Sequence, residues 1–170
     1  AYLGFAIVLY PLLKKHNEGL AAGFLCFRII GGGFILIGVI LLPLFLQVSR
    51  EFVSGPAIGG AHLASLGGLL RTGRDLVNHV GMILASCLGS LFLYYLLFNA
   101  KLVPRWLSGW GLAGAVLAIM ASLLVLFGLV DVVTAIYISL NAPIAGQELI
   151  FAILLIVKGF EPSTPDATQR

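Results

Sequence analysis

Two sets of polar side chains stand inside otherwise apolar sequence and could carry chemistry. Arg28 interrupts the stretch from Gly19 to Leu46, and Glu148 is the one charged residue between Val132 and Val157. A charge within hydrocarbon costs a few kcal/mol even on insertion scales, so each of them requires a partner or a purpose. Counted along helices, both lie about 13 to 15 Å from ends that share one side of a membrane. That match predicts an Arg28–Glu148 ion pair, with neighbouring Gln147 as an accessory hydrogen-bond partner. On a helical wheel Arg28 shares its face with Ala21, Gly31 and Gly32, and Glu148 with Asn141, Ala145 and Ala152, which predicts that both faces turn toward other helices. Three uses fit such a pair: fixing helix register, forming a ligand or proton-coupled site, or, for Arg28 alone, snorkelling toward the lipid surface.

The second set comprises Thr72, Asp75, His79, Ser86 and Ser90, whose spacing places them on one polar stripe if a single helix carries them. Asp75, one turn before His79, would set the imidazole tautomer, and Asp131 would approach from an outer turn. Such a stripe could relay protons, form a hydrophilic entry to Arg28 and Glu148, or offer His79 as an axial ligand to a tetrapyrrole. The plainer reading is a solvent-wetted His and Asp with serines bonded back to their own helix carbonyls. No metal site is expected: His16 and His62 are loop residues without partners at ligand spacing. Cys26 and Cys87 fall in apolar stretches, where they act as small hydrophobes. Ser108 before Gly109 has the look of an intramembrane serine-protease dipeptide, but it belongs near the opposite face from His79.

The elements that must position these groups follow from composition. The chain is 60% hydrophobic and 10% charged with a mean hydropathy of +1.08, so its polar side chains are too few to cover a water-soluble globule. Lipid is therefore the expected solvent. The fold class is all-α, a polytopic transmembrane helix bundle with spans at 1–13 (partial), 19–48, 76–98, 106–130 and 134–158. Residues 49–75 read as an outer loop carrying an interfacial helix, or as an outward extension of the third span, with a break at Gly67-Gly68. A turn is expected over 54–60, and 159–170 read as a disordered cytoplasmic tail. The first segment is too short to span, and residue 1 is Ala, so a longer protein with six spans is expected. Gly81, Ala85 and Gly89 on the third span, and Gly114, Ala118 and Ser122 on the fourth, are spaced for close helix approach. Gly31-Gly32-Gly33 reads as a close-packing or bending point.

Alternate loops share a side. Lys14, Lys15, Lys101, Arg105, Lys158 and Arg170 gather on one, Arg50, Arg71 and Arg74 on the other, so loops 14–18 and 99–105 and the C-terminus are expected in the cytoplasm. Tyr10, Tyr94, Tyr95, Trp106 and Trp110 read as an aromatic belt on that side. The net charge of +3, without any basic patch interleaved with aromatics, argues for anionic headgroups and against nucleic acid as a partner.

Several segments match a known pattern in order: Pro11-Leu12-Leu13-Lys14-Lys15-His16-Asn17-Glu18, Phe27-Arg28-Ile29-Ile30, Lys101-Leu102-Val103-Pro104-Arg105-Trp106-Leu107-Ser108, Pro143-Ile144-Ala145-Gly146-Gln147-Glu148, and Val157-Lys158-Gly159-Phe160. Together they make the chain resemble the DUF4386 family of bacterial membrane proteins over nearly its whole length. That resemblance implies a six-helix protein of the bacterial cytoplasmic membrane and supplies no activity or catalytic residue. Three function classes stay open. The first is a noncatalytic accessory or structural subunit, with other membrane subunits and the bilayer as partners. The second is a small-solute or proton-linked carrier using Arg28 and Glu148. The third is an enzyme acting on lipid-like substrates with His79, Asp75 or Glu148 as acid or base.

Overall fold

The computed structural model describes residues 2–54, 60–132 and 134–158, and every regular element among them is a helix. In chain order these are α1 (Tyr2–Lys14), α2 (Glu18–Ser54), α3 (Gly60–Leu76), a π-helical segment (Val77–Met82), α4 (Ile83–Ala100), α5 (Arg105–Leu126) and α6 (Ala135–Val157). Four helical stretches are long and apolar enough to cross a membrane: α2, the continuous run from Gly60 to Ala100, α5 and α6. The all-α membrane bundle read from composition is the fold observed. The α1 helix, at 13 residues, covers about 20 Å and is too short to cross alone. The turn expected at 54–60 falls largely, and the tail at 159–170 wholly, outside the described residues.

Local sequence sets most helix ends. Asn17 Oδ1 accepts from the Leu20 N–H at 2.9 Å, and Glu18 opens α2 beside the positive helix end. Glu18 also meets Lys14 at 2.8 Å across the corner, and this hydrogen bond with its charge raises the Lys14 pKa above its usual value. Thr134 caps α6, its hydroxyl accepting from Tyr137 N at 3.3 Å and donating to the Asp131 carbonyl at 2.9 Å. At the other end of that connection α5 stops at Leu126, short of the expected 130. Gly128 takes φ +66°, Leu129 N bonds to Leu124 O at 2.9 Å and Gly128 N to Val125 O at 3.0 Å, the bond pair of a Schellman closure. Hydropathy continues through Phe127, Leu129 and Val130, but the backbone has already turned.

The largest departure from the sequence reading concerns residues 49–82. No break occurs at Gly67-Gly68; α2 runs on to Ser54, and α3 continues through the π-helical segment into α4. Packing of α2 along α3 supplies what the glycines lack in propensity. The irregularity sits instead at Val77–Met82, the level where α4 begins to touch α5 as well as α2. At 37 residues α2 is about 55 Å long, against about 33 Å for α5. Its outer part and α3 therefore form a hairpin projecting beyond the other helices, with a groove of about 290 Å³ between Phe45, Phe52, Leu63 and Arg71.

The helices pack in the order α1, α2, α4, α5, α6. Small residues set the spacing: a Cβ on Gly81 would lie 2.8 Å from the Phe34 ring, one on Gly89 3.2 Å from Phe27, one on Gly111 2.7 Å from the Tyr94 ring, and one on Gly114 3.0 Å from the Ile144 backbone. Gly31 and Gly32 seat α1, facing Tyr2 and Leu3, so these two are a packing point, whereas a Cβ on Gly33 would meet nothing within 4 Å. The core lies in the lysine-rich half, where α1 adds Ala6, Leu9 and Leu13 to Phe24, Leu97 and Leu107. Tyr94, read from sequence as an interfacial belt residue, is 1% exposed within that core, because Gly111 leaves room for its ring. Outward faces carry Ile37, Ile40, Ile153 and Ile156, all exposed, as hydrocarbon solvation requires.

Candidate functional site

Arg28, Ser90 and Glu148 reach the same depth because each stands about 15 Å along its helix from the lysine-rich end. Arg28 is 7% exposed. Its Nη2 lies 3.7 Å from Glu148 Oε1 and donates to Ser90 Oγ at 3.4 Å. The guanidinium carbon sits 4.9 Å from the Tyr2 ring centroid, 5.6 Å from Phe24 and 5.8 Å from Phe5, so ring faces supply much of its remaining stabilisation. Its Nε is buried without an acceptor among the described residues. Of five N–H donors, one is hydrogen-bonded among the described residues.

Glu148 reaches Arg28 but is not enclosed between helices as expected. Its side chain is 50% exposed, and Ala145 and Ala152 beside it are exposed too. The cause is the arc itself: α1 and α6 are its two ends and meet through the edge contact of Phe5 with Phe151, ring centroids 6.3 Å apart. Between them opens a cleft of about 230 Å³ lined by Tyr2, Phe5, Arg28, Tyr94, Glu148, Phe151 and Ala152. It lies about 15 Å from the lysine-rich helix ends and is bordered by the exposed Glu148 and Ala152.

Gln147 takes no part in this pair. One position along α6 is a 100° rotation, which carries it to the opposite flank, where it is 0% exposed and its Nε2 donates to Leu107 O of α5 at 3.3 Å. Its Oε1 and nearby Ser108 Oγ are buried without hydrogen-bond partners among the described residues.

The stripe from Asp75 to Ser90 divides among several partners. Ser90 joins Arg28. Ser86 donates to Met82 O at 2.6 Å and meets the Tyr2 hydroxyl, which ties α4 to the mouth of the cleft. His79 Nδ1 pairs with Tyr137 OH at 2.9 Å on α6, and the His79 carbonyl accepts from Ser122 Oγ at 3.1 Å on α5. The expected Asp75–His79 contact is absent among the described residues: the wider π turn begins between them and swings the imidazole toward α6. Thr72 is exposed, Asp131 serves through its carbonyl as part of the α6 cap, and the cleft includes neither Asp75 nor His79.

The sequence reading assigned no site role to the ring walls Tyr2, Phe5, Tyr94 and Phe151, of which Tyr94 was placed in the interfacial belt, nor to Tyr137 and Ser122 as partners of His79. Tyr2 and Phe5, three apart on α1, carried a periodic signal, but nothing local announces that they face Arg28. Three comparisons with known proteins bear on the chain. A family model described as "Domain of unknown function (DUF4386)" matches residues 1–159. No curated protein and no solved structure matches.

Proposed function

We propose, from the premise that this chain belongs to the DUF4386 family, whose name assigns no activity, that it is a noncatalytic membrane protein that holds a lipid-soluble ligand in the α1/α6 cleft. The observation that carries this reading is Arg28: more than nine-tenths buried, incompletely hydrogen-bonded among the described residues, and lining a cavity that a half-exposed carboxylate borders, about 15 Å from the lysine-rich helix ends. A pair serving helix register alone would be closed over by neighbouring side chains, as Gln147 is. Ionisable groups facing an intramembrane cavity are binding-site candidates by default. The separation of His79 from the cleft weighs against an acid–base pair with Glu148. The test is extraction in mild detergent followed by native mass spectrometry. Retained small molecules that disappear in Arg28→Met support the reading; a parent protein carrying nothing beyond bulk phospholipid overturns it.

A second reading, an accessory subunit of a membrane complex, draws on the projecting α2–α3 hairpin, whose Phe52, Val53 and Leu69 are exposed. Copurification of a stoichiometric partner lost on substituting Val53 and Leu69 by Ser tests it. We place the protein in the bacterial cytoplasmic membrane with the lysine-rich end inside. Single-cysteine labelling at Lys15 and Arg71 of intact cells checks the sidedness, with Arg71 expected to react from outside.

A further inference from the structure

We infer that the cleft recognises the head of a lipid-soluble quinol or quinone: a flat, uncharged ring bearing a hydroxyl or carbonyl oxygen, with an apolar tail left in the bilayer. This rests on the binding reading above and adds the chemistry of the ligand.

Depth comes first. About 15 Å from the lysine-rich helix ends lies hydrocarbon, so the ligand must be soluble there, which removes phosphate-headed lipids. Charge comes next. Arg28 and Glu148 sum to zero, so an anionic head would face an uncompensated Glu148 and a cationic one an uncompensated Arg28. A neutral head is left.

Size and walls narrow the choice. The cavity of about 230 Å³ falls below the roughly 300–1,000 Å³ of sites that enclose drug-sized molecules. One ring fits, with its tail leaving past the exposed Ala152. Four of the seven lining residues, Tyr2, Phe5, Tyr94 and Phe151, are aromatic, and aromatic walls favour stacked or edge-on rings. Phe151 already meets Phe5 at 89° and Tyr94 at 78°, so a ring entering the cleft continues an edge-to-face set.

Hydrogen bonding decides the functional group. Arg28 has donors to spare, while Glu148 as a carboxylate only accepts and is not hydrogen-bonded among the described residues. At 3.7 Å apart, the two can flank one ligand oxygen. A hydroxyl satisfies both, accepting from Arg28 and donating to Glu148; a carbonyl satisfies Arg28 alone. The site therefore favours the reduced, hydroxyl-bearing ring. No electron transfer is part of the proposal.

The experiment uses the protein in lipid nanodiscs, titrated with a singly prenylated benzoquinone, its reduced form, and 1-dodecanol as a linear alcohol, each corrected for empty discs. Saturable one-to-one binding is expected, with the quinol tighter than the quinone by about tenfold, the effect of one charge-assisted hydrogen bond. Arg28→Met should weaken both ring forms at least tenfold, and Glu148→Gln should erase the quinol preference while keeping quinone binding. Ala152→Phe, at an exposed position one turn from Glu148, fills the opening while leaving both charges in place; it should abolish ring binding with an unchanged melting temperature, which separates blocked binding from misfolding. Dodecanol binding as tightly as the ring probes overturns the ring inference and leaves a ligand cleft standing. Ring binding that survives both Arg28→Met and Ala152→Phe overturns the location. No binding by any probe, together with no retained molecule in native mass spectrometry, overturns the inference and the reading beneath it.

Discussion

Removing the charge on Glu148 tests how the Arg28 pair is held. At 3.7 Å two unit charges attract by about 4 kcal/mol at an effective dielectric near 20. Ser90 and the ring faces of Tyr2, Phe5 and Phe24 reduce this, because they continue to stabilise the guanidinium. A coupling energy of about 1–3 kcal/mol is expected from a double-mutant cycle of Glu148→Gln and Arg28→Met. The two single changes should differ. Glu148→Gln leaves the guanidinium more than nine-tenths buried without its counter-charge, and a guanidinium cannot shed its proton. Glu148→Gln should therefore cost about 3 kcal/mol, and the charge-loss part of Arg28→Met should cost less. The assay is reversible unfolding in mixed micelles of mild detergent and sodium dodecyl sulfate. Single effects that sum to the double within about 0.3 kcal/mol mean that the groups do not interact. Exchange of both charges, Arg28→Glu with Glu148→Arg, should fold better than either reversal alone, and a swap no better than the singles would defeat the pairing.

Four further outcomes can be checked in the same unfolding assay. Gly114→Ala should destabilise by about 1–3 kcal/mol, because its Cβ would lie 3.0 Å from the Ile144 backbone, whereas Gly109→Ala meets nothing within 4 Å and should be neutral or better. Gly68→Ala should stabilise by about 0.5–1 kcal/mol and raise helicity by circular dichroism if α3 is continuous there; a loss of stability would restore the break at that point. Lys101→Gly should gain up to about 1 kcal/mol by relieving a left-handed φ of 55°. Thr134→Ala should lose about 1 kcal/mol through the α6 cap, and an unchanged midpoint would remove the cap from the account.

The location of the site was readable while its shape was not. Arg28 and Glu148 stand out because a charge in a long apolar run is visible without any knowledge of neighbours, and equal distances from helix ends gave them equal depth. Which side of each helix faces a partner depends on the order of the helices around the bundle, and no residue spacing carries that. Gln147 looked available to Arg28 by adjacency, yet it belongs to the α5 contact. His79 looked bound to Asp75 by helical spacing, yet a π turn between them aims it at Tyr137. Gly67-Gly68 looked like a break from propensity alone, but α2 packs alongside and keeps the helix whole.

Composition and hydropathy by themselves determined that this is an all-helical membrane bundle, roughly where its spans lie, and which charges need explaining. These are properties of single segments meeting one solvent, summed over about 20 residues at a time. Tertiary structure alone decided that α1 and α6, the two ends of the arc, meet edge-on at Phe5 and Phe151 and leave a cleft beside them, that four aromatic rings from α1, α4 and α6 line this cleft together with Arg28, and that Glu148 stands half in the open. A cleft is a gap between segments distant in sequence, and the packing that leaves it open is set by contacts among all of them together.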